Sequence, residues 1–165
     1  MIIRRAMPAD WAAFRDIRLT MLSDHPEAFG STHAEWAAKP EAEIRQWLSD
    51  LYLLALFEGD GILGCAAYAR HRSAKAAHRA AVISVYVRPE ARGQGHADRI
   101  LVQLAQDARQ AGIVQLELEV AVGNSAAIAA YERAGFTRHG VVPRAMWDGG
   151  RYIDDLFMVW PLDRA

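Results

Sequence analysis

The chain has 165 residues, 52% of them hydrophobic, and a formal net charge of −1. That length suits one compact unit with an ample core, and the aromatics spread along it exclude a disordered chain. Near-neutral charge argues against general nucleic-acid binding, which leaves a basic footprint; of the 19 basic residues only Lys39 and Lys75 are not arginine, a bias of the whole chain and not of one patch.

Met1–Arg5 reads as a first strand. Pro8 and Asp10 suit the first turn of a helix, Pro because its missing N–H is not needed there and Asp through the helix dipole. Trp11, Phe14, Ile17 and Met21 then recur at helical spacing. Ser23–Thr32 is a loop by its Pro, Gly and Ser content. A second helical region, about Ala34–Ser49, is interrupted by Pro40 and carries Ile44, Trp47 and Leu48 as its apolar stripe. Leu51–Phe57 and the run Ile62–Tyr68 flank Glu58-Gly59-Asp60-Gly61, the pattern of an antiparallel hairpin. Arg70–Arg79 is a basic loop, read as solvated.

Ala81–Val87 is largely apolar in both alternating sets, which suits a central strand covered on both faces. A helix runs from about Gly95 to Ala111, with Gly112 as its stop. Val114–Val120 alternates strictly, setting Leu116, Leu118 and Val120 against Gln115, Glu117 and Glu119. Asn124 caps a helix Ser125–Ala134 that ends at Gly135. Strand character returns at Phe136, a loop spans Pro143–Gly150, and Tyr152–Trp160 is the last strand. There is no repeat, low-complexity tract or linker, so one domain over 1–165 is expected.

Cys65 is the single cysteine, which excludes an internal disulfide and a cysteine-based zinc cluster; in its apolar run it reads as a buried, inert thiol. The histidines show no metal-binding spacing, so no metal is expected. The opening MIIRRAMPAD lacks the apolar stretch of a secretory signal. No apolar run reaches the roughly 18 residues that span a bilayer. A cytoplasmic protein with no membrane partner is expected.

The chemistry is carried by Val85-Tyr86-Val87-Arg88-Pro89-Glu90-Ala91-Arg92-Gly93-Gln94-Gly95-His96-Ala97. Glycines at a helix start let successive backbone N–H groups point at one anion, and the helix dipole adds to the attraction. Neither G-x-x-x-x-G-K-[ST] nor G-x-G-x-x-G is present, which excludes a P-loop and the dinucleotide fingerprint. The segment instead resembles the central motif of the GNAT superfamily of N-acetyltransferases, whose core [Gln/Arg]-x-x-Gly-x-[Gly/Ala] falls on Arg92, Gly95 and Ala97. A second segment, Asn124-x-x-Ala127-x-x-x-Tyr131-x-x-x-Gly135-Phe136, is similar to that family's Asn-x-x-Ala-x-x-x-Tyr-x-x-x-Gly-Phe. The resemblance covers Leu51–Trp160 well and the first fifty residues loosely.

The resemblance implies an α/β fold: a mixed, mostly antiparallel sheet of about seven strands with a splayed parallel pair, flanked by about four helices. It implies acetyl-CoA as co-substrate, its pantetheine arm on the backbone of Val85 and Val87 and its pyrophosphate on the amides of Arg92, Gly93, Gln94, Gly95, His96 and Ala97, with Asn124 also in the cofactor site. Tyr131 matches the family's general acid. Leu118-Glu119-Val120 resembles a segment in which the Glu is the base; because Ala81–Val87 carries no acid, a water-relayed base stays open. The acceptor site would lie between His25–Gly30 and Arg144–Asp148, with Glu27, Phe29 and Trp147 as substrate-binding candidates. The expected reaction is direct acetyl transfer to a primary amine, on a small molecule or a peptide N-terminus. A non-catalytic acyl-CoA-binding module, a longer acyl donor or a hydroxyl acceptor stay open, and a homodimer is a family-level expectation. His96 and Arg99 depart from the family pattern; Asp98 should face away from the phosphates and Arg99 toward solvent.

Overall fold

The apolar runs pair into a single sheet in the computed structural model, which describes residues 1–163. Ile2–Arg5 (β1) runs antiparallel to Tyr52–Glu58 (β2), which turns tightly into Gly61–Arg70 (β3). Gly59 takes φ 56° in that turn, a left-handed conformation that glycine adopts at no steric cost. β3 pairs antiparallel with Arg79–Val87 (β4), and β4 pairs parallel with Gln115–Ala121 (β5). Thr137–Trp147 (β6) and Tyr152–Pro161 (β7) form a hairpin whose β7 inserts beside β5. The seven strands are ordered β1-β2-β3-β4-β5-β7-β6.

Helices Trp11–Asp24 (α1), His33–Ala37 (α2) and Glu41–Asp50 (α3) precede β2; His96–Gln110 (α4) and Ser125–Ala134 (α5) flank β5 in sequence. Pro40 divides the second helical region, since it offers no N–H and biases the preceding residue away from helix. Thr32 and Glu35 close a reciprocal capping box on α2. Asp10 sits in a 3-10 turn before α1, where it accepts from the Met7 amide and pairs with Arg4 at 2.8 Å.

The sheet separates two cores. On one face Phe14, Ile17 and Met21 of α1 and Ile44 and Leu48 of α3 pack on Leu53, Phe57, Ile62 and Tyr86. On the other, Leu101, Leu104 and Ala108 of α4 and Ile128 of α5 pack on Leu54, Val82, Leu116 and Met158. Each large aliphatic side chain so buried contributes roughly 1.5–3 kcal/mol.

Two sequence expectations are corrected. β4 is not a regular strand covered on both faces: Ser84 takes φ 55°, the register against β3 slips between Cys65 and Ala67, and Ile83 is 36% exposed. The extra residue reverses the alternation, so Val82 enters one core and Tyr86 the other. Pro143 does not end β6, because β6 is an edge strand where its missing N–H breaks no ladder. The register slips instead between Val142 and Met146, with Arg144 at φ 54°. The basic segment is exposed over Arg72–Lys75 and at His78, as expected, while His71 and Arg79, the first residue of β4, clamp the buried Glu117 carboxylate at 2.5 and 3.0 Å.

Candidate active site

β4 and β5 part company early. Their parallel pairing covers only Arg79–Ala81 against Gln115–Glu117. Beyond it, β4 stays bonded to β3 on one side, and the Arg88 amide donates to the Leu63 carbonyl at 2.8 Å. Strand groups alternate in direction, so Val85 and Val87 turn theirs toward the gap. These groups need partners, and a splayed strand supplies none. The Val87 carbonyl already accepts from Arg92 Nε at 2.9 Å.

The gap opens onto the Gly-rich turn. Gly93 and Gly95 take φ 75° and 72°, and Gly95 is the N-cap of α4. This geometry leaves the amides of Gly93, Gln94, Gly95, His96, Ala97 and Asp98 without backbone acceptors among the described residues, whereas the Arg92 amide donates to Pro89. The Arg92 side chain turns back toward β4: besides the Val87 carbonyl, it lies 5.6 Å over the Tyr86 ring, and its Nη2 is 3.4 Å from His25 Nε2. The His96 ring goes inward and is 5% exposed, with neither ring nitrogen partnered among the described residues. Asp98 faces away, as expected, and pairs with Arg133 of α5 at 3.2 Å; Arg99 is exposed. A row of unpartnered amides at a helix N-terminus is an anion cradle.

α5 starts across the same gap. Asn124 Oδ1 accepts from the Ala127 amide at 3.2 Å and so caps the helix. Tyr131, two turns on, is half-buried and packs edge-on against Phe136 at 5.8 Å. Burial pushes its hydroxyl up to about 12, so it holds its proton through the neutral range. Cys65, by contrast, is sealed, and burial raises its thiol to about 12, which keeps it an unreactive thiol.

Glu119 is exposed on the sheet face opposite Leu116 and Leu118, the face that α1 covers farther along the sheet. It is cross-strand from Phe157, while Ala121 is cross-strand from Asp155. Asp155 is therefore a diagonal neighbour of Glu119 on the same face. Its side chain is buried, and burial, then Glu119 and then Asp154 raise it above the ordinary carboxylate range. Asp155 was not singled out from sequence; the signal was a pair of acids, Asp154 and Asp155, inside an otherwise apolar last strand.

The segments His25–Gly30 and Arg144–Asp148 approach each other at one point. A Cβ on Gly30 would lie 3.7 Å from Met146 Cε. Met146 makes this approach; Trp147 is 61% exposed and pairs with Tyr152 at 4.9 Å. Phe29 packs against the α1 core and Glu27 lies 3.7 Å from His25. Among the described residues no group of three or more His, Cys, Asp or Glu is placed to hold a metal, and no helix is long and apolar enough to cross a membrane.

Residues 11–136 match the model of the acetyltransferase (GNAT) family. The chain is 30% identical over 153 residues to an L-methionine sulfoximine/L-methionine sulfone acetyltransferase of Pseudomonas paraeruginosa, covering 87% of this chain and 88% of the relative. It is 35% identical to the phosphinothricin N-acetyltransferase of Alcaligenes faecalis, covering 88% and 77%. Among solved structures, a ribosomal-protein-alanine N-acetyltransferase from Brucella melitensis superposes with a TM-score of 0.81 at 27% identity, covering 98% and 99%. A phosphinothricin acetyltransferase from Sinorhizobium meliloti, in complex with acetyl-CoA, shares the fold at a TM-score of 0.80 and 23% identity, covering 97% and 87%. Splayed strands, an amide-lined turn and a family match over the same residues lead to one conclusion: the chain belongs to the GNAT family and is an acetyl-CoA-dependent N-acetyltransferase.

Proposed function

We propose that the chain transfers acetyl groups to the primary amine of a small molecule, with Tyr131 as general acid and the Glu119–Asp155 pair as base. The observation that carries this reading is the frame across one gap: open β4 backbone, unpartnered amides of Gly93–Asp98, and the protonated Tyr131. The amides of Gly93–Ala97 would hold the pyrophosphate, with the Arg92 guanidinium adding positive charge nearby, and Val85 and Val87 the pantetheine arm. Bound there, acetyl-CoA supplies a thioester carbonyl open to attack and a sulfur that departs as thiolate.

The acceptor arrives as an ammonium ion and must lose a proton before its nitrogen can attack. Asp155, held above the ordinary carboxylate range beside Glu119, supports that role better than an isolated exposed acid. As the C–N bond forms and the C–S bond breaks, the Tyr131 proton passes to sulfur. The nitrogen's second proton restores the Tyr131 hydroxyl, so one proton in total is released. Relatives named for methionine sulfoximine and phosphinothricin support a small-molecule acceptor.

Calorimetric titration with acetyl-CoA, followed by an assay of CoA release against an amine panel, tests the reading. Saturable micromolar binding together with amine-dependent CoA release is expected. Binding without release from any amine would assign the fold to acyl-CoA sensing instead.

A further inference from the structure

Arg18 is a charged residue on the apolar face of α1, between Ile17 and Met21, and it is only 6% exposed. Its Nη1 donates to Ser84 Oγ at 3.1 Å and touches Met21 Sδ at 3.4 Å. Its Nε is buried with no acceptor, Nη2 makes no hydrogen bond, and no carboxylate lies within ion-pair distance among the described residues. The guanidinium carbon lies 4.9 Å from the Trp36 ring and 5.5 Å from Phe29. Aromatic faces offset part of the lost hydration, but they leave the N–H groups unsatisfied. Burial lowers the pKa of Arg18, as expected of a cation with no counter-ion nearby.

Ser84 is the bulged residue of β4, at the point where the strand leaves β5. Phe29 belongs to the loop that meets Met146 across the acceptor region. Nε and Nη2 form one edge of the guanidinium fork, the edge that holds a carboxylate by two parallel hydrogen bonds. Glu119 and Asp155, which suit an ammonium group, lie on the same face of the sheet on the far side of the splay.

We infer that Arg18 is the receptor for an anionic group on the acceptor, and that the acceptor is an amine carrying a carboxylate, of the α-amino acid class. The inference rests on the reading of the chain as an amine acetyltransferase. The carboxylate docks on the Nε–Nη2 edge, and the ammonium group then points to the carboxylate pair.

The test compares the common α-amino acids with their C-terminal amides and decarboxylated amines, using CoA release by wild type, Arg18→Met and Arg18→Lys. For wild type, kcat/KM for the best free acid should exceed that of its amide by roughly 10- to 100-fold, the range for hydrogen bonds to charged groups. Arg18→Met should bring that ratio close to one, and Arg18→Lys should restore part of it. Equal rates for acid and amide in wild type overturn the inference while leaving the acetyltransferase reading intact. So does an Arg18→Met loss that is the same for both.

A second readout needs neither turnover nor acetyl-CoA. Tryptophan fluorescence of the protein should change saturably with the free acid and not with its amide, and the change should vanish in Trp36→Phe. A wild-type response to the amide equal to that to the acid overturns the inference even if no amine is ever acetylated.

Discussion

At the scale of single residues, burial sets the protonation of Tyr131 and Asp155, the groups we propose as acid and as part of the base. Desolvation disfavours the charged form of either group, which keeps the phenol protonated and makes the carboxylate a stronger base. Tyr131→Phe removes the hydroxyl with little change in packing, so kcat should fall by about 100-fold or more, the range for a positioned proton donor, while acetyl-CoA affinity holds. An unchanged kcat removes Tyr131 from the mechanism. Asp155 makes a prediction of opposite sign for stability and activity. A carboxyl raised in the folded chain favours folding while protonated; that contribution is present below the unfolded pKa and is lost as pH rises through the folded value. Asp155→Asn should therefore raise Tm relative to wild type at neutral pH, show no gain in strong acid, and lower kcat. Differential scanning fluorimetry across pH, beside initial rates, checks both halves. Replacing Glu119 by Gln removes a like charge, so the acid limb of the rate profile should move to lower pH.

At the scale of elements, the α5–β6 junction shows how a turn places a side chain. Gly135 ends α5 at φ 130°, and a Cβ there would lie 2.6 Å from Trp160 Cε2. The indole reaches this position only because no side chain is in the way, and it then packs edge-on against Phe136, which packs on Tyr131. Gly135→Ala should cost about 1–3 kcal/mol by overpacking. Because the strain falls on the support of Tyr131, kcat should drop as well; a lowered Tm with full kcat would show that the aromatic stack is only structural. Part of this was visible beforehand: Gly135 was readable as a helix stop, and Asn124 as its start. The approach of Trp160 was not, since it joins positions at opposite ends of the α5–β7 segment.

At the scale of the whole molecule, the defining feature is a sheet that opens in its middle. Three rungs join β4 to β5, and past Ala81 and Glu117 the strands separate. Acetyl-CoA bound in the opening should stabilise the fold by mass action, by about 2.7 kcal/mol at a hundredfold excess over Kd. Hydrogen exchange should then slow at Val85, Val87 and Gly93–Asp98 and stay unchanged at Arg79–Ala81. Protection spread evenly over the sheet would argue against binding in the splay.

The order of elements and the two glycine-bearing motifs were determined by the sequence alone, because periodicity, caps and turn chemistry act over a few neighbouring residues. That local information was enough to expect the individual strands and the anion-binding turn; the mixed sheet and the role of Tyr131 were expected only through the resemblance to the GNAT family. It misjudged β4 and β6, where register against a neighbouring strand decides the outcome: the Ser84 bulge reverses alternation, and an edge position lets a strand run through Pro143. Arg18 beside Ser84, without an ion pair among the described residues, and Asp155 diagonal to Glu119 exist only in the tertiary structure. Burial and like-charge proximity depend on contacts between distant segments, and no window of sequence contains them.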